Sequence, residues 1–534
     1  MGIVAGLRTA VLGVVTSLGL AAAQADAQQV LTPLWTHSSG TDGWTPKIVS
    51  LGNGGSQAWT QLGPFNDVTR LYSSQGPQTG SPAWQRLDTQ TTYNHAVASA
   101  ENADVHCTLH DILADATQGL RSLVLRKYHS TSNQPDWTYT LPFTSNGHDE
   151  FRVQVSRDGQ RVVAAARNIW TNKIEVFAFN AGSSAPVVSL PVTFAGSLES
   201  AVLSANGRKL LLGSPNRVIV VDVVSGTLDH SLTLFDQVYS GHAINADGTV
   251  FAYGTFGAIK VYRKNATGGY DLRVTDTTAA SKYCDHLTIS DDSSTLIGAY
   301  NHSDTFLSVS VVALDLVQSL STGTPVKFME YTTTGTGTRQ VIASDVDCSA
   351  DGRSFALGTW GDQNGASPEV QVFSRTQTTP TKTFDLPGSV QDLDLSGDGQ
   401  HLVVVSRAQH SNVFGGGGRV DMLDVGAGDL RVTGLPCGGS TIDVAVRGGI
   451  GSTAALMVST AAAPVPVTFP RVGTLYLTPG TMLNASLGTV QADGFAHGTY
   501  VIPAGLLGQT LYLQGLASAP RRLTRDWQRF TVLP

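Results

Sequence analysis

With 534 residues the chain is longer than one ordinary hydrophobic core organises, so its interior must come from repeated or closed sheets, or from more than one domain. The 57 glycines set against 14 % charged residues point to many tight turns between short strands and exclude a fold of long charged helices. A net charge of −7 excludes a surface that tracks phosphates, which needs clustered Lys and Arg, so nucleic acid is not an expected partner.

The first residues, MGIVAGLRTAVLGVVTSLGLAAAQADAQQV, place Arg8 before an apolar run from Thr9 to Ala23, followed by Ala25-Asp26-Ala27. That order predicts a secretory signal peptide over residues 1–27, cut after Ala27. The run of about 15 residues is short of the roughly 20 that span a bilayer, and no later segment is apolar for long enough, so no membrane span is expected. The chain is therefore expected to be secreted, or held at the cell surface or in the periplasm. No amphipathic helix is read after the first 30 residues.

From about residue 30 to residue 435 one phrase returns: SRDGQ from Ser156, SANGR from Ser204, NADGT from Asn245, SDDSS from Ser290, SADGR from Ser349 and SGDGQ from Ser396. These sites lie 48, 41, 45, 59 and 47 residues apart. Two degenerate copies precede them, at GNGGSQAW from Gly52 and around SAENADVHC from Ser99. An alternating or apolar run stands on either side of each phrase, which reads as two strands around a tight turn, with Asp or Asn bonding the turn and Gly accepting positive φ. A third strand follows (KIEVFAF from Lys173, AIKVYRK from Ala258, EVQVFSR from Glu369, RVDMLDV from Arg419) and then a fourth (PAWQRLD from Pro82, PDWTYTL from Pro135, TKTFDLP from Thr381). Four antiparallel strands repeating at 40–50 residues predict the blades of a β-propeller, eight in number, with seven as the alternative. PLWTHSS from Pro33 is placed to complete the last blade and remove the open edges, with LRVTGL from Leu430 competing for that role.

After Cys437 the phrase disappears. TLYLTPG, GTVQADGFAHGTYVIP and QTLYLQGLAS alternate between Gly and Pro turns and predict a small β-sandwich over residues 438–534. The basic cluster Arg521, Arg522, Arg525 and Arg529 reads as a solvated last strand. Four cysteines, Cys107, Cys284, Cys348 and Cys437, show no CxxC; the pair best placed for a disulfide is Cys284 with Cys348, on equivalent strands of neighbouring repeats, the alternative being buried free thiols.

The S-x-[DN]-G turns and the strands ending in VxVF or VxVY resemble the WD40-like, YVTN-like and TolB-like bacterial β-propellers. The tail, with Pro503, Gly508, Leu511, Tyr512 and Gln514 in a P-x-x-x-x-G-x-x-[LF]-[YF]-x-Q pattern, is similar to the terminal sandwich domains of secreted bacterial repeat proteins. These resemblances imply a fold and a habit of binding rather than a reaction. The Trp-Asp ending of strict WD40 blades is missing, so their hydrogen-bonded tetrad does not carry over.

On a propeller the innermost strands line a central channel, and residues four and two before the turn share one face. Those positions carry His95, Arg152, His286, Asp345, Asp347, Asp392 and Asp394, which are the candidate binding residues at the channel mouth. The four aspartates, with partners on one strand roughly 6–7 Å apart, are also a weak candidate for calcium; no other cofactor or metal is expected. His106 and His110, four residues apart on a strand, are roughly 13 Å apart and too far for one zinc. FGGGGRV lacks the Lys-Ser/Thr of a phosphate loop, and no G-x-S-x-G elbow occurs. The expected function is an exported, non-enzymatic, monomeric binding scaffold for a protein or glycan partner. Its tail serves attachment, sorting or partner binding. The alternative is a propeller enzyme of the lactonase, lyase or hydrolase kind that uses the Asp and His cluster.

Overall fold

The computed structural model describes residues 29–532 apart from 32, 39–44, 53–56, 64–66, 74–81, 89–91, 102, 116–119, 145–149, 169–170, 194–195, 235–240, 339, 411–416, 426–429, 434–438, 449–450, 470–471, 492–494 and 519–520. The predicted signal peptide lies outside the described residues, as does Cys437. Among them the chain divides into two compact units, residues 29–427 and residues 428–534.

In the first unit the described residues form eight sheets, each with four antiparallel strands and one of them with an added fifth. Their inner strands are Thr45–Gly52, Thr92–Ser99, Phe151–Val155, Ser200–Leu203, His242–Ile244, Lys282–Ile289, Ala343–Cys348 and Val390–Leu395, numbered here as sheets 1 to 8. Each inner strand packs beside the next, and that of sheet 8 packs beside that of sheet 1, so the series closes on itself as in a β-propeller. Sheet 8 owns only three consecutive strands. Its fourth is Pro33–Ser38, antiparallel to Gly418–Asp424, whereas Leu430–Thr433 pairs within the second unit. Just before it, Gln29–Val30 adds a parallel fifth strand to sheet 7 against Lys382–Thr383, and Leu31 is buried among residues of sheets 7 and 8.

There is no single centre of packing. A sheet with two apolar faces must bury both, and here each face is buried against the neighbouring sheet. One cluster joins sheets 3 and 4 through Val163, Val176, Leu203 and Leu212, and others join 2 to 3, 4 to 5, 5 to 6, 6 to 7 and 7 to 8. The seam between sheets 8 and 1 is closed by Trp35, stacked on Tyr72 at 4.9 Å, with Val403 and Val420. That between sheets 1 and 2 is filled by Trp59, Val97 and Tyr128. This is how a chain of this length avoids an oversized core.

The repeated turn carries more than its own geometry. In sheet 3, Ser156 Oγ donates to Asp158 and accepts from the Arg161 amide at 2.9 Å, while Gly159 takes a φ of 69°. The same bonds recur from Ser204, Ser349 and Ser396. The turn glycine is needed twice over. At Gly207 (φ 68°) a Cβ would lie 2.8 Å from the Cβ of Ser156, and Gly399 approaches Ser349 in the same way, so each turn nests on that of the preceding sheet. Backbone bonds then link neighbouring turns, Arg157 to Ala205, Asn206 to Ala246, Asp292 to Ala350 and Ala350 to Gly397.

Two readings are corrected. A seven-residue helix, Leu316–Thr322, sits between the third and fourth strands of sheet 6, capped by the Asp315 carboxylate and by Gly323 in the left-handed region; two turns are too short to show a helical period in sequence. Cys284 and Cys348 are not joined by a disulfide; both are buried free thiols, as is Cys107. Their strands are equivalent but their places are not. Cys284 lies six residues before its turn serine and Cys348 one, a displacement of roughly 17 Å along the strand direction.

In the second unit a three-stranded sheet (Leu430–Thr433, Thr441–Arg447, Phe495–Val501) and a four-stranded one (Leu483–Thr489, Thr453–Ser459, Thr510–Ser518, Arg521–Thr531) share one apolar core, to which Val444, Leu456, Ala496 and Leu513 contribute. The two strands Ala462–Phe469 and Gly473–Leu477 form a separate ribbon. The motif glutamine, Gln514, is fully buried and accepts from the Tyr476 amide at 3.0 Å while donating to the Thr524 carbonyl at 2.9 Å. Its amide cross-links the core, so the residue is fixed by hydrogen bonding rather than by surface chemistry.

Candidate functional site

The inner strands surround a cavity of about 810 Å³. Strand alternation turns Arg152, His286, Asp345, Asp347, Asp392 and Asp394 into it, together with Gln154 and Thr288. His95 lies on the inner strand of sheet 2 opposite His110, and its side chain is outside the described residues. A bulge precedes the cavity-facing residues in sheets 6, 7 and 8, at Cys284/His286, Ala343/Asp345 and Val390/Asp392, and sets which side chains point inward.

The aspartates are engaged with neighbouring strands. Asp392 accepts the Val49 amide at 2.9 Å and Asp394 the Leu51 amide at 2.8 Å, both on sheet 1; Asp347 accepts the Leu395 amide of sheet 8 at 2.9 Å. An inner strand has one edge without a strand partner, and these carboxylates satisfy it. Arg152 works in the opposite sense, donating to the carbonyls of Phe151 and Glu199, each at 2.9 Å. Across the seam between sheets 7 and 8, Asp345 lies near Asp392 and Asp347 near Asp394, close enough for each charge to act on its neighbour.

Burial first, and then the Asp345 charge, lifts Asp392 well above the usual carboxylate range; burial and the Asp347 charge do the same to Asp394. Asp347, raised mainly by burial and held back by the Leu395 amide, is pushed up to about 7. His286 stands with Nδ1 3.6 Å from Asp345 and Nε2 3.9 Å from Asp285. Burial pulls its imidazolium down, but the two carboxylates outweigh that and leave it raised.

The calcium expectation does not fit this arrangement. Among the described residues no group of three or more His, Cys, Asp or Glu side chains is placed to hold a metal ion. The aspartates are instead aimed at amides and at each other.

Sequence reasoning missed the residue after the turn serine. The x of S-x-D-G projects over one end of the cavity, where Arg157 of sheet 3 pairs with Asp291 of sheet 6 and Glu101, at the matching place in the degenerate second copy, accepts the Gly397 amide of sheet 8 at 2.8 Å. The signal was available, since three copies carry a charge where others carry Ala or Gly. His106 and His110 are both buried on His106–Asp115; His106 stacks on Trp59 at 4.1 Å and bonds Ser99, Gln57 and Asp104. They are packing groups. A further pair was not foreseen, the fully buried Glu369 with His410 Nδ1 at 3.0 Å.

No known family and no curated protein matches the chain. Among solved structures it is similar to the C-terminal WD40 domain of Sif2, with 14 % identity and a TM-score of 0.49, over 74 % of this chain and 99 % of that one. It is also similar to the β-propeller domain of Myceliophteria thermophila Cps50 (Swd1), with 10 % identity and a TM-score of 0.44, over 74 % and 99 % of the two chains. No helix among the described residues is long and apolar enough to cross a membrane.

Proposed function

We propose that the chain is an exported binding scaffold. Its eight sheets act as the eight blades of a propeller presenting a recognition surface to a protein or glycan, and its second unit is a β-sandwich used for attachment, sorting or partner binding. The observation that carries this reading is the use made of the cavity's ionisable groups. Asp347, Asp392, Asp394 and Arg152 bond the backbone of adjacent inner strands, which makes them fasteners of a rigid ring. Rigidity is what a recognition surface needs, because a preorganised face loses little entropy on binding.

The enzyme reading retains one specific support, the His286–Asp345 pair facing the cavity, which has the form of an oriented general base. One experiment separates the two. The full mature chain is titrated against glycan arrays and immobilised envelope proteins, and the wild type and a His286→Gln variant are assayed for turnover of lactones, esters and uronate-containing glycans. The scaffold reading expects saturable binding that survives His286→Gln and no turnover by either protein. Turnover by the wild type that the variant lacks would establish the enzyme instead.

A further inference from the structure

The repeated turns join the first and second strands of each sheet, so the hairpins joining second and third strands lie at the opposite end. Two of these hairpins bring aromatic rings together. In sheet 5 the tip between Val250–Thr255 and Ala258–Lys264 carries Phe256, which is 38 % exposed. In sheet 6 the tip between Thr295–His302 and Ser308–Asp315 carries Phe306. Between them stands Tyr283, near the start of the inner strand of sheet 6, its backbone bridged to that of Phe256. The ring centroids are 5.4 Å apart from Phe256 to Tyr283 and 6.4 Å apart from Tyr283 to Phe306, with planes inclined at 42° and 63°.

These rings are held rigidly, and one of them against the backbone's own preference. Phe306 has a φ of 54°; of the three non-glycine residues in the left-handed region among those described, it is the only bulky one. Such a conformation is unfavourable for an L-residue and persists only where its surroundings over-determine it, which happens most often at binding sites. Here the Phe306 amide donates to the His302 carbonyl at 2.7 Å and its carbonyl accepts the Val341 amide at 2.6 Å. The sheet 5 tip is fastened in the same manner, the Gly257 amide donating to the Lys282 carbonyl at 2.7 Å and its carbonyl accepting the Thr278 amide at 2.8 Å. Yet the Phe306 side chain is only partly buried, so core packing does not account for the strain.

The rim decides the chemistry of the occupant. Beside Phe256 the connector carries Ala279 and Ala280, both exposed and too small to cover the rings, and Asp304 and Thr305 are exposed just before Phe306. Lys282 Nζ donates to Ser310 Oγ at 3.3 Å, so the rim holds both signs of charge and selects for neither. A protein hot spot seats a large side chain in a desolvated pocket, whereas these rings form an open ledge. A sugar offers an apolar C–H face to lie on each ring and hydroxyls to bond the polar rim. The ring separations are comparable with those between consecutive pyranoses, and the turn from plane to plane fits a chain that twists rather than a flat ribbon.

We propose that Phe256, Tyr283 and Phe306 form a stacking ledge for a neutral, twisted glycan chain. The inference rests on the reading of the ring as a binding scaffold and deepens it by naming the class of ligand and its site.

The test is calorimetric titration of the full mature chain with maltoheptaose, laminariheptaose and polygalacturonate. Saturable binding of at least one of the two neutral chains is expected, weakened about ten-fold or more in Phe256→Ala and in Phe306→Asn, the loss that one contact of ordinary aromatic strength gives. Asn accepts the left-handed region, so the urea midpoint of Phe306→Asn should equal or exceed that of the wild type; a mere packing role would lower the midpoint and leave the affinity alone. No binding of either neutral chain, tighter binding of polygalacturonate, or unchanged affinity in both variants overturns the ledge. The scaffold reading fails separately: it stands if the ledge fails while an envelope protein is bound saturably, and falls if turnover is found that His286→Gln removes.

Discussion

Replacing Gly207 with alanine separates the two demands that the repeated turn makes on its glycine. Gly207 sits at φ 68°, and an added Cβ would meet the Cβ of Ser156 at 2.8 Å and that of Arg161 at 2.9 Å, both on the preceding sheet. Left-handed backbone costs an L-residue roughly 1–2 kcal/mol. Forcing a methyl into packed atoms costs typically 1–3 kcal/mol, because neither neighbour is the far end of a flexible side chain. The expected total is about 2–5 kcal/mol. Gly207→Asn divides it, since Asn tolerates the left-handed region but still carries the Cβ; it should recover about 1 kcal/mol and no more. Gly182→Ala is the control, with nothing within 4 Å of the added atom. Urea unfolding of the four full-length proteins, followed by tryptophan fluorescence, gives the differences from the midpoints at a common slope. If Gly207→Ala comes within about 0.5 kcal/mol of Gly182→Ala, the turns do not nest as described and the account of inter-sheet registration fails.

Trp35→Ala removes the stacked partner of Tyr72 from the closing seam and should cost about 3–5 kcal/mol, with limited proteolysis cutting first near residues 33–38; cleavage elsewhere would deny that this strand closes the ring. Burial pushes the thiols of Cys107, Cys284 and Cys348 far up, so in a Cys437→Ser chain Ellman's reagent at pH 8 should find no reactive thiol in the native protein and titrate all three, without reductant, in denaturant. A chain ended after Ala427 should keep the cooperative unfolding transition of the ring, whereas one ended after Leu435 carries the orphaned strand Leu430–Thr433 and should aggregate more readily; calorimetry and light scattering on the two decide it.

The sheets were legible because their punctuation is local. A turn that needs Asp for its bonds and Gly for its φ repeats wherever that geometry repeats, and the strands on either side show period two. The cavity-facing positions were legible for the same reason, since four regular residues separate Asp345 or Asp392 from the turn serine. What the aspartates do was not legible, because their partners, Val49 and Leu51, lie 343 residues away along the chain. The serine's role was missed too, as its hydroxyl acts through a backbone amide five residues on. The bridge between Cys284 and Cys348 was misjudged by matching strands without matching positions along them. The fifth strand on sheet 7 left no signal, for two residues cannot show a period.

Gln29–Val30 and Pro33–Ser38 emerge from the ribosome before the rest of the ring, yet their partners at residues 382–383 and 418–424 are among the last of the ring to be made. Until those arrive, the growing arc has a bare edge at each end and an early segment with nowhere to dock. Completion therefore waits on a loop closure across nearly four hundred residues, a slow step that leaves unpaired strands exposed to whatever else can pair with them.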